Sequence, residues 1–319
     1  MAGSIDVVIP AYNRWDLTAS CLRHLDAQTV AHRVIVVDNG SSDETRAWLR
    51  SDWPHVSVVE LDHNHAFTQA VNLGVDTGGG EHVVLLNNDV ELRPDCLEHL
   101  VAPLEEDPAV GSVAAVLLQP GELAIDSVGV TTDVTLAGFP RLQGLAPEEA
   151  KNLQPLLTGP EGTAAAYRRA AWEQVGGLDE SIVAYMEILD LALRLRRAGW
   201  GSACALDAVG VHIGSATFGR RSVEQRRLAG FSRGYLLRRY RVLRGRFGPR
   251  ALFTEALVVA GDAVLAHDLA ALRGRLAGWR AAGGLEHRPR PPAEAIDEAI
   301  SLRESLDLRR STTRERARA

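Results

Sequence analysis

Short apolar runs alternate with segments of helical periodicity along the first 118 residues of the chain. The runs are rich in β-branched residues and predict five strands, at 5–10, 33–40, 56–61, 81–90 and 110–118. The intervening segments predict three helices, at 16–28, 41–50 and 66–75. Because strands that alternate with helices form parallel sheets covered on both faces, this half of the chain predicts an α/β fold with a mostly parallel sheet.

The pattern is less regular after residue 118. Residues 119–161 are rich in Gly and Pro and predict loops with a short hairpin. Residues 162–180 predict a strand, a short helix and a Gly-Gly turn, and residues 185–200 predict a further helix. A strand that runs into a loop is predicted at 209–215.

The pattern from about residue 222 onward is mainly helical, with breaks at 247–249 and 287–292 and a charged end that is expected to fray. We therefore predict two parts. An α/β domain occupies residues 1–220, and a mainly helical region occupies residues 221–319.

Composition narrows the class of protein. The 319 residues, of which 46% are hydrophobic and 24% charged, suffice for one large domain or for one domain with an appendage. Three scattered cysteines, Cys21, Cys96 and Cys204, support neither a disulfide framework nor a cysteine zinc site. No secretory signal opens the sequence, and no apolar run reaches the roughly 18 residues of a membrane span. These features favour a reducing, cytoplasmic location.

The charge distribution is uneven. The net charge is −6, yet the segment from Arg220 to Arg250 holds eleven arginines and one acid, Glu224. Such a segment could face anionic lipid, phosphate or nucleic acid, or it could be a solvated helix surface. The only lysine is Lys151, which excludes a P-loop.

Polar clusters directly follow the predicted strands. In parallel sheets, ligands bind beyond the carboxyl ends of the strands, so these clusters are expected to converge on one crevice. Asp38 ends the second strand and is followed by Asn39 and residues 41–43. These side chains could hydrogen-bond a base or a ribose, or they could form a turn and a helix N-cap.

The fourth strand is followed by Asn87, Asn88 and Asp89. An acid beside amides is suited to Mg²⁺ or Mn²⁺ and to a diphosphate, although the same residues could form an Asx turn. His212 leaves a later strand and could supply an imidazole to the same cation, or it could be structural.

The helix at 185–200 carries two acids, Glu187 and Asp190, near its start. Asp190 and Arg194 have the i, i+4 spacing of a helical ion pair. Ile188 and its apolar neighbours form the adjoining face. From periodicity alone these acids are either catalytic or the polar face of an ordinary amphipathic helix.

Seven segments in this order resemble the successive motifs of family 2 glycosyltransferases with the GT-A fold, in particular their rhamnosyltransferase-like bacterial branch. The resemblance covers residues 4 to 240 and rests on VVIPAYNR, VIVVDNGSSDET, NHAFTQAVNLGV, VVLLNNDVEL, GTAAAYRRAAWEQVGGLDE, YMEILDLALRLRRAGW and VHIGSATFG. It implies transfer of a sugar from a UDP-, dTDP- or GDP-sugar donor to an acceptor hydroxyl, with inversion.

The resemblance also implies site residues. It assigns donor binding to Pro10, Ala11, Tyr12, Asn13, Asp38, Asp43, Asn64, Asn72, Asn87 and Asn88. It places Asp89 and His212 on a Mg²⁺ or Mn²⁺ ion that neutralises the diphosphate leaving group. It further implies a carboxylate base for the acceptor hydroxyl.

The sequence departs from the family at this base. The family reads like YFEDVDL, and Ile188 stands where its catalytic acid is expected. We favour Glu187 as the base, and Asp190 is the alternative. A third possibility is a catalytically impaired nucleotide-sugar-binding or scaffold protein.

Two other enzyme classes are disfavoured, because neither the Gly-rich loop of nucleotidyltransferases nor the GxGxxG of Rossmann dehydrogenases follows the first strand. The expected partners are therefore the donor and a hydroxyl acceptor, with no nucleic acid. We also expect peripheral contact with the inner face of a membrane through the Arg-rich 220–250 segment, and a possible homodimer formed by the C-terminal helices.

Overall fold

The computed structural model describes residues 3–214 and 222–315. Its strands are β1 Ile5–Ala11, β2 Arg33–Asp38, β3 Ser57–Glu60, β4 His82–Leu86, β5 Val90–Leu92, β6 Val110–Leu118, β7 Ile125–Ser127, β8 Val130–Thr132, β9 Gly138–Pro140, β10 Ala164–Arg168 and β11 Gly201–His212. Its α-helices are α1 Trp15–Asp26, α2 Thr45–Asp52, α3 Phe67–Thr77, α4 Cys96–Glu106, α5 Arg169–Val175, α6 Glu187–Arg197, α7 Val223–Arg239, α8 Gly248–Ala266, α9 Ala270–Ala281 and α10 Leu302–Glu315.

One large sheet organises the α/β part of the molecule. Its strand order is β3-β2-β1-β4-β10-β6-β11-β5, and β7 pairs with β6 off this path. Strands β1 to β4 are parallel, as predicted. Beyond β4 the sheet is mixed, because β10 runs antiparallel to both of its neighbours and β5 runs antiparallel to β11.

Helices cover both faces of the sheet, and alternate residues of each strand point to opposite cores. Val7 and Ile9 of β1 join a core formed with α1, α2 and α4. Val8 joins the opposite core, formed with α3, α5 and α6. Strands buried on both faces explain the near-continuous apolar runs in the sequence, and the α/β prediction is confirmed.

The C-terminal helices pack closely on each other and on α6. A Cβ atom on Gly234 of α7 would lie 2.0 Å from the carbonyl oxygen of Arg275 in α9, so glycine permits this close helix contact. Leu189 and Leu193 of α6 share a buried cluster with Tyr235 of α7. The predicted division at residue 220 lies outside the described residues. Within those residues no helix has the length and apolar character required to cross a membrane.

Two predicted elements differ from the structure. The strand predicted at 81–90 is two strands, β4 and β5, separated by a turn at Asn87–Asp89. Helix α2 begins at Thr45 rather than at residue 41. Helix α10 extends to Glu315, and the last four residues of the charged end predicted to fray lie outside the described residues.

The described arginines of the 220–250 segment mostly bind other parts of the protein. Arg233 is 1% exposed and bonds Glu255 at 2.7 Å. Arg226 pairs with Asp268, and Arg238 donates to a carbonyl oxygen of α9. The segment therefore fastens the C-terminal helices together, and it is not the uniformly free basic surface that its sequence suggested.

Candidate active site

The loops after β1 and β2 interlock at the carboxyl edge of the sheet. The Asn39 amide donates to the carbonyl of Ala11 at 2.7 Å, and the Asn13 side-chain oxygen accepts from the Ser42 amide at 2.8 Å. This bond replaces the first helical turn predicted at residue 41. Asn13 and Arg14 have positive φ angles of 54° and 55°, a strained conformation that is concentrated at functional sites.

Strand β1 delivers the first three predicted donor residues to this edge. Pro10 and Ala11 are its last two residues, and Tyr12 follows directly. Pro10 and Tyr12 remain partly accessible, whereas Ala11 is buried. Their position at a carboxyl strand end agrees with the predicted crevice.

Asp38 is buried beneath this edge and is strongly bonded. Its carboxylate pairs with Arg46 of α2 and accepts from the Ser41 amide at 3.2 Å. Asp43 is exposed and accepts from the Thr45 amide at 3.0 Å, so it orders the turn into α2. Both acids thus hold the turn before α2, which is the structural alternative that the sequence left open. The ion pair of Asp38 with Arg46 was not predicted from the sequence.

Asn64 and Asn72, two further residues predicted to bind the donor, lie in different parts of the structure. Asn64 is exposed in the loop between β3 and α3, next to His65, whose amide donates to the Asn39 side chain at 2.8 Å. Asn72 of α3 instead bonds both backbone groups of Leu178, at 2.9 and 3.0 Å. Asn72 therefore holds the 176–180 loop in position.

The loop that contains Asn64 also carries three polar side chains with metal-ligating atoms. The atoms of Asp62, His63 and His65 lie within 4.8 Å of one another. The two imidazoles are stacked with centroids 3.9 Å apart, and Asp62 accepts from both. The group is largely exposed, and no family motif predicted it.

Asp89 and His212 are brought together although 122 positions separate them, because β5 pairs with β11. His212 Nε2 lies 3.4 Å from an Asp89 oxygen. His212 Nδ1 lies 2.7 Å from an oxygen of Asp126 in β7. Asn88 bonds Thr18 of α1 at 2.9 Å, and the Asn87 amide donates to the carbonyl of Thr163 at 2.9 Å.

This triad fits a divalent cation. Asp126 can fix the ring of His212 through Nδ1, which leaves Nε2 directed at Asp89, and carboxylates orient metal-ligating histidines in this way. Burial lowers the pKa of His212, but its bonds to Asp126 and Asp89 outweigh this and raise the pKa to about 10. A cation at this site must therefore displace the Nε2 proton, because a metal-ligating histidine is neutral. The donor set of one carboxylate oxygen and one imidazole nitrogen suits Mn²⁺ or Mg²⁺ with further oxygen ligands.

Glu187 is a half-buried residue at the start of α6. Its Oε2 atom is enclosed and has no hydrogen-bond partner among the described residues. Burial raises the pKa of Glu187 to about 7, and the backbone bond at the helix start lowers it less. Tyr167 of β10 lies near enough that Glu187 and burial together raise the pKa of its phenol.

Ile188, the residue after Glu187, packs against the segment that meets Asn87. A Cβ atom on Gly162 would lie 2.6 Å from the Ile188 side chain, and the next residue, Thr163, bonds Asn87. Ile188 is 7% exposed and packs in the core beneath α6, so this position is used for packing. Tyr185 and Met186 before α6 have positive φ angles of 65° and 64°, a second strained pair.

Asp190 is fully buried in an ion network. One oxygen accepts from Arg194 at 2.8 Å, and the other accepts from the Tyr240 hydroxyl at 2.9 Å and from Arg288. Arg288 also bonds Asp179 at 2.7 Å. With both oxygens occupied, Asp190 is poorly suited to accept a proton from a substrate.

Sequence reasoning missed Asp126, Arg288 and Tyr240. Asp126 lies in the Gly- and Pro-rich segment, and Arg288 lies in a predicted break. Each of these residues bonds a site residue at least 50 positions away in the sequence. Local periodicity therefore could not predict their roles.

Comparisons with known proteins indicate the same family as the sequence motifs. The family model described as glycosyl transferase family 2 matches residues 6–176. The N-acetylglucosaminyl-diphospho-decaprenol L-rhamnosyltransferase of Mycobacterium tuberculosis (strain H37Rv) is 27% identical over 209 residues, 59% of this chain and 68% of that protein. The O-antigen biosynthesis protein RfbC of Myxococcus xanthus is 30% identical over 224 residues, 67% of this chain and 17% of that protein.

A solved structure shows the same fold. The mannosyltransferase PcManGT of Pyrobaculum calidifontis, in complex with GDP-Man and Mn²⁺, has a TM-score of 0.54 at 20% identity, and the match covers 99% of this chain and 85% of that chain. The fold and the family match define a glycosyltransferase with the GT-A fold. The chain belongs to glycosyl transferase family 2, which confirms the expected resemblance.

Proposed function

We propose that this protein is an inverting, metal-dependent glycosyltransferase that moves a sugar from a nucleotide-diphosphate donor to an acceptor hydroxyl. The observation that carries the proposal is the position of Glu187. Glu187 is half-buried with its Oε2 atom enclosed, and burial raises its pKa to about 7. The next residue of its helix packs against Gly162, beside the Thr163–Asn87 bond. A base with a pKa near neutrality adjacent to a diphosphate site is what this transfer requires.

The donor is proposed to lie along the carboxyl edge of the sheet. Its nucleotide would contact residues 10–13, the Asp38–Asp43 loop and Asn64, while Asn72 shapes the pocket through the 176–180 loop. Asp38, buried and bonded through both oxygens, would act by holding Arg46 and the turn at Ser41 in place beneath the nucleotide. Asn87 and Asn88 would face the diphosphate.

Asp89 and His212 are the proposed metal ligands, and Asp126 is proposed to orient His212. When bound, the divalent ion neutralises charge that develops on the diphosphate as it leaves. Glu187 would accept the proton of the acceptor hydroxyl as the oxygen attacks the anomeric carbon. Attack from the side opposite the leaving group inverts that carbon. Asp190 would position α6, and it would not handle the proton.

The donor can be identified by thermal shift of the full chain with UDP-, GDP- and dTDP-sugars, each with and without Mn²⁺. One donor is expected to raise the melting temperature only when Mn²⁺ is present, because ligands that bind the folded state stabilise it. Turnover of that donor with an added hydroxyl acceptor then tests transfer. If no donor stabilises the protein, with or without metal, the proposal is wrong.

Asp126→Asn is expected to weaken Mn²⁺-dependent stabilisation by about 10- to 100-fold in apparent affinity, because the second-sphere partner of a metal ligand tunes its orientation and basicity. Titration of Mn²⁺ by thermal shift measures this. Asp207→Asn, which alters an exposed acid on the same strand as His212, is the matched control. Equal Mn²⁺ affinity in wild type and Asp126→Asn would show that Asp126 does not support the metal site.

A second candidate function is a nucleotide-sugar-binding or scaffold protein that has lost catalysis. Ile188, which occupies the expected acid position as a packed core residue, is the observation in its favour. Such a protein would bind the donor and Mn²⁺ normally but would neither hydrolyse the donor nor transfer its sugar. Product analysis after long incubation with donor, Mn²⁺ and acceptor therefore separates the two functions.

The Mycobacterium tuberculosis relative is named for an acceptor carried on decaprenol diphosphate, and RfbC for O-antigen biosynthesis. We extend this to propose that the present protein builds a bacterial glycan or glycosylated metabolite in the cytoplasm, at the inner face of the membrane. A lipid-linked acceptor sugar is accordingly among the acceptors to be tried.

A further inference from the structure

Helix α8 carries an exposed apolar face. Leu252, Phe253 and Leu257 are 62%, 52% and 42% exposed, and Val264 is 70% exposed. Positions 252, 253, 256, 257, 260 and 264 fall on one side of a helix with 3.6 residues per turn, and none of them is polar. Large apolar side chains grouped in this way on a surface mark an interaction site.

The opposite side of α8 packs against the rest of the protein. Ala251, Thr254 and Glu255 are buried against the rest of the C-terminal region. Glu255 is held by Arg233 and Arg275 at 2.7 and 2.8 Å. The helix is thus anchored through its small and polar residues, and its large aliphatic and aromatic residues face outward.

The surroundings of this face are basic. Residues 222–282 contain twelve arginines and four carboxylates, a formal charge of +8 in a chain whose total is −6. Glu224, Glu255 and Asp268 are each paired with an arginine of the same region. Arg241, Arg244 and Arg246 precede α8 on the exposed surface.

We propose that α8 docks the protein on an anionic lipid bilayer, with its apolar face in the interfacial layer and the neighbouring arginines against lipid phosphates. An apolar helix face beside cationic residues has the composition of interfacial helices. Two copies joined through this face would instead bring two basic regions together, and like charges oppose association. The lipid surface supplies both apolar volume and opposite charge.

The docking surface is therefore α8 and not the arginine-rich segment alone. Of the described arginines between 222 and 250, most are bonded within the protein, and burial of apolar side chains must supply the rest of the membrane affinity. The proposal concerns membrane binding and does not depend on catalysis.

The test is co-sedimentation of the full chain with vesicles of phosphatidylcholine, with and without phosphatidylglycerol. Binding to the anionic vesicles is expected, and it should weaken as salt screens the arginines. Leu257→Gln/Val264→Gln should reduce binding at least about tenfold, since each side chain loses its apolar burial in the lipid. Leu123→Gln/Leu153→Gln, at two positions that are each 86% exposed, is the matched control and should bind as wild type.

Arg241→Gln/Arg244→Gln should remove the preference for phosphatidylglycerol while leaving the melting temperature unchanged. The proposal is overturned if wild type does not sediment with anionic vesicles at low salt, or if the α8 variant binds as tightly as wild type. It is equally overturned if wild type is a dimer without lipid and the α8 substitutions make it monomeric, because the face is then an interface between copies.

Discussion

Glu187→Gln is expected to lower the rate of sugar transfer by about 10²- to 10⁴-fold, which is the range of a positioned general base. Glutamine keeps the size and shape of the side chain but cannot accept the proton of the acceptor hydroxyl. Donor and Mn²⁺ affinities should stay close to wild type, because Glu187 faces neither Asp89 nor His212 in any described contact. Initial rates with donor and acceptor varied independently measure this.

The same residue predicts the pH dependence of the wild-type enzyme. A base must be deprotonated to act, and burial raises the pKa of Glu187 to about 7. The transfer rate should therefore rise with pH up to about 7 and level off above it. A rate that is already maximal near pH 5 would mean that an acid with an ordinary pKa serves as the base.

The stability of the folded protein should change with pH in the opposite direction to the transfer rate. The folded pKa of Glu187, about 7, exceeds the ordinary value of 4.5, so the folded state holds the proton more tightly than the unfolded state. Stability falls as pH rises from about 4.5 to 7, by at most about 3 kcal/mol. Glu187→Gln removes this loss, so the variant should melt above wild type at pH 8 and with it near pH 4.5. Denaturation at both pH values measures the difference.

Glu173→Gln is the matched control for these measurements, because Glu173 is an exposed glutamate on α5 with only a 4.0 Å contact to Arg169. It should preserve activity, pH profile and melting temperature. Full transfer activity in Glu187→Gln would exclude Glu187 as the base, and another group would then have to accept the proton of the acceptor hydroxyl.

Ile188→Asp complements the Gln variant. The position is buried against Gly162, so a new acid there should destabilise the fold without restoring activity. A large gain of transfer activity would instead show that the native site is catalytically impaired.

The sequence predicted the elements better than the contacts between them. The run at 110–118 coincides with β6, because nine consecutive buried or half-buried positions leave a clear pattern. The sequence offered an Asx turn at Asn87–Asp89, but the predicted strand ran through it to residue 90, since Val90 continues the apolar run on its other side. Apolar periodicity reports burial, and it does not show where the backbone turns.

The same limit applies to the site. The motifs placed Asp89 and His212 on one cation, and they do lie together. Asp126 and Arg288 belong to segments without periodicity, and only the folded chain places them beside His212 and Asp190. Supporting residues act across long sequence separations, so their identification needed the structure.

Arg288→Met is expected to destabilise the protein by about 3–5 kcal/mol, the usual effect of removing one partner from a buried ion pair. Arg288 lies between two acids, and its loss leaves Asp179 to Tyr235 and Asp190 to Arg194 and Tyr240. Methionine fills much of the space, so the loss is electrostatic more than steric. Urea denaturation measures it, and Arg303→Met, which changes a 94% exposed side chain, is the control.

Arg288 reaches α6 from the C-terminal region, so its removal should also disturb the chemistry. Asp179 flanks the loop before α6, and Asp190 lies one turn beyond Glu187. The two ion pairs of Arg288 therefore hold the helix on either side of Glu187. Turnover should fall about tenfold or more, whereas the KM for donor should change little, as expected for a positioning residue. In Arg288→Met/Asp190→Asn the carboxylate that loses Arg288 is neutralised as well, so the double variant should lose less stability than the sum of the single variants. Strict additivity, together with unchanged turnover, would show that the C-terminal region does not hold the catalytic helix.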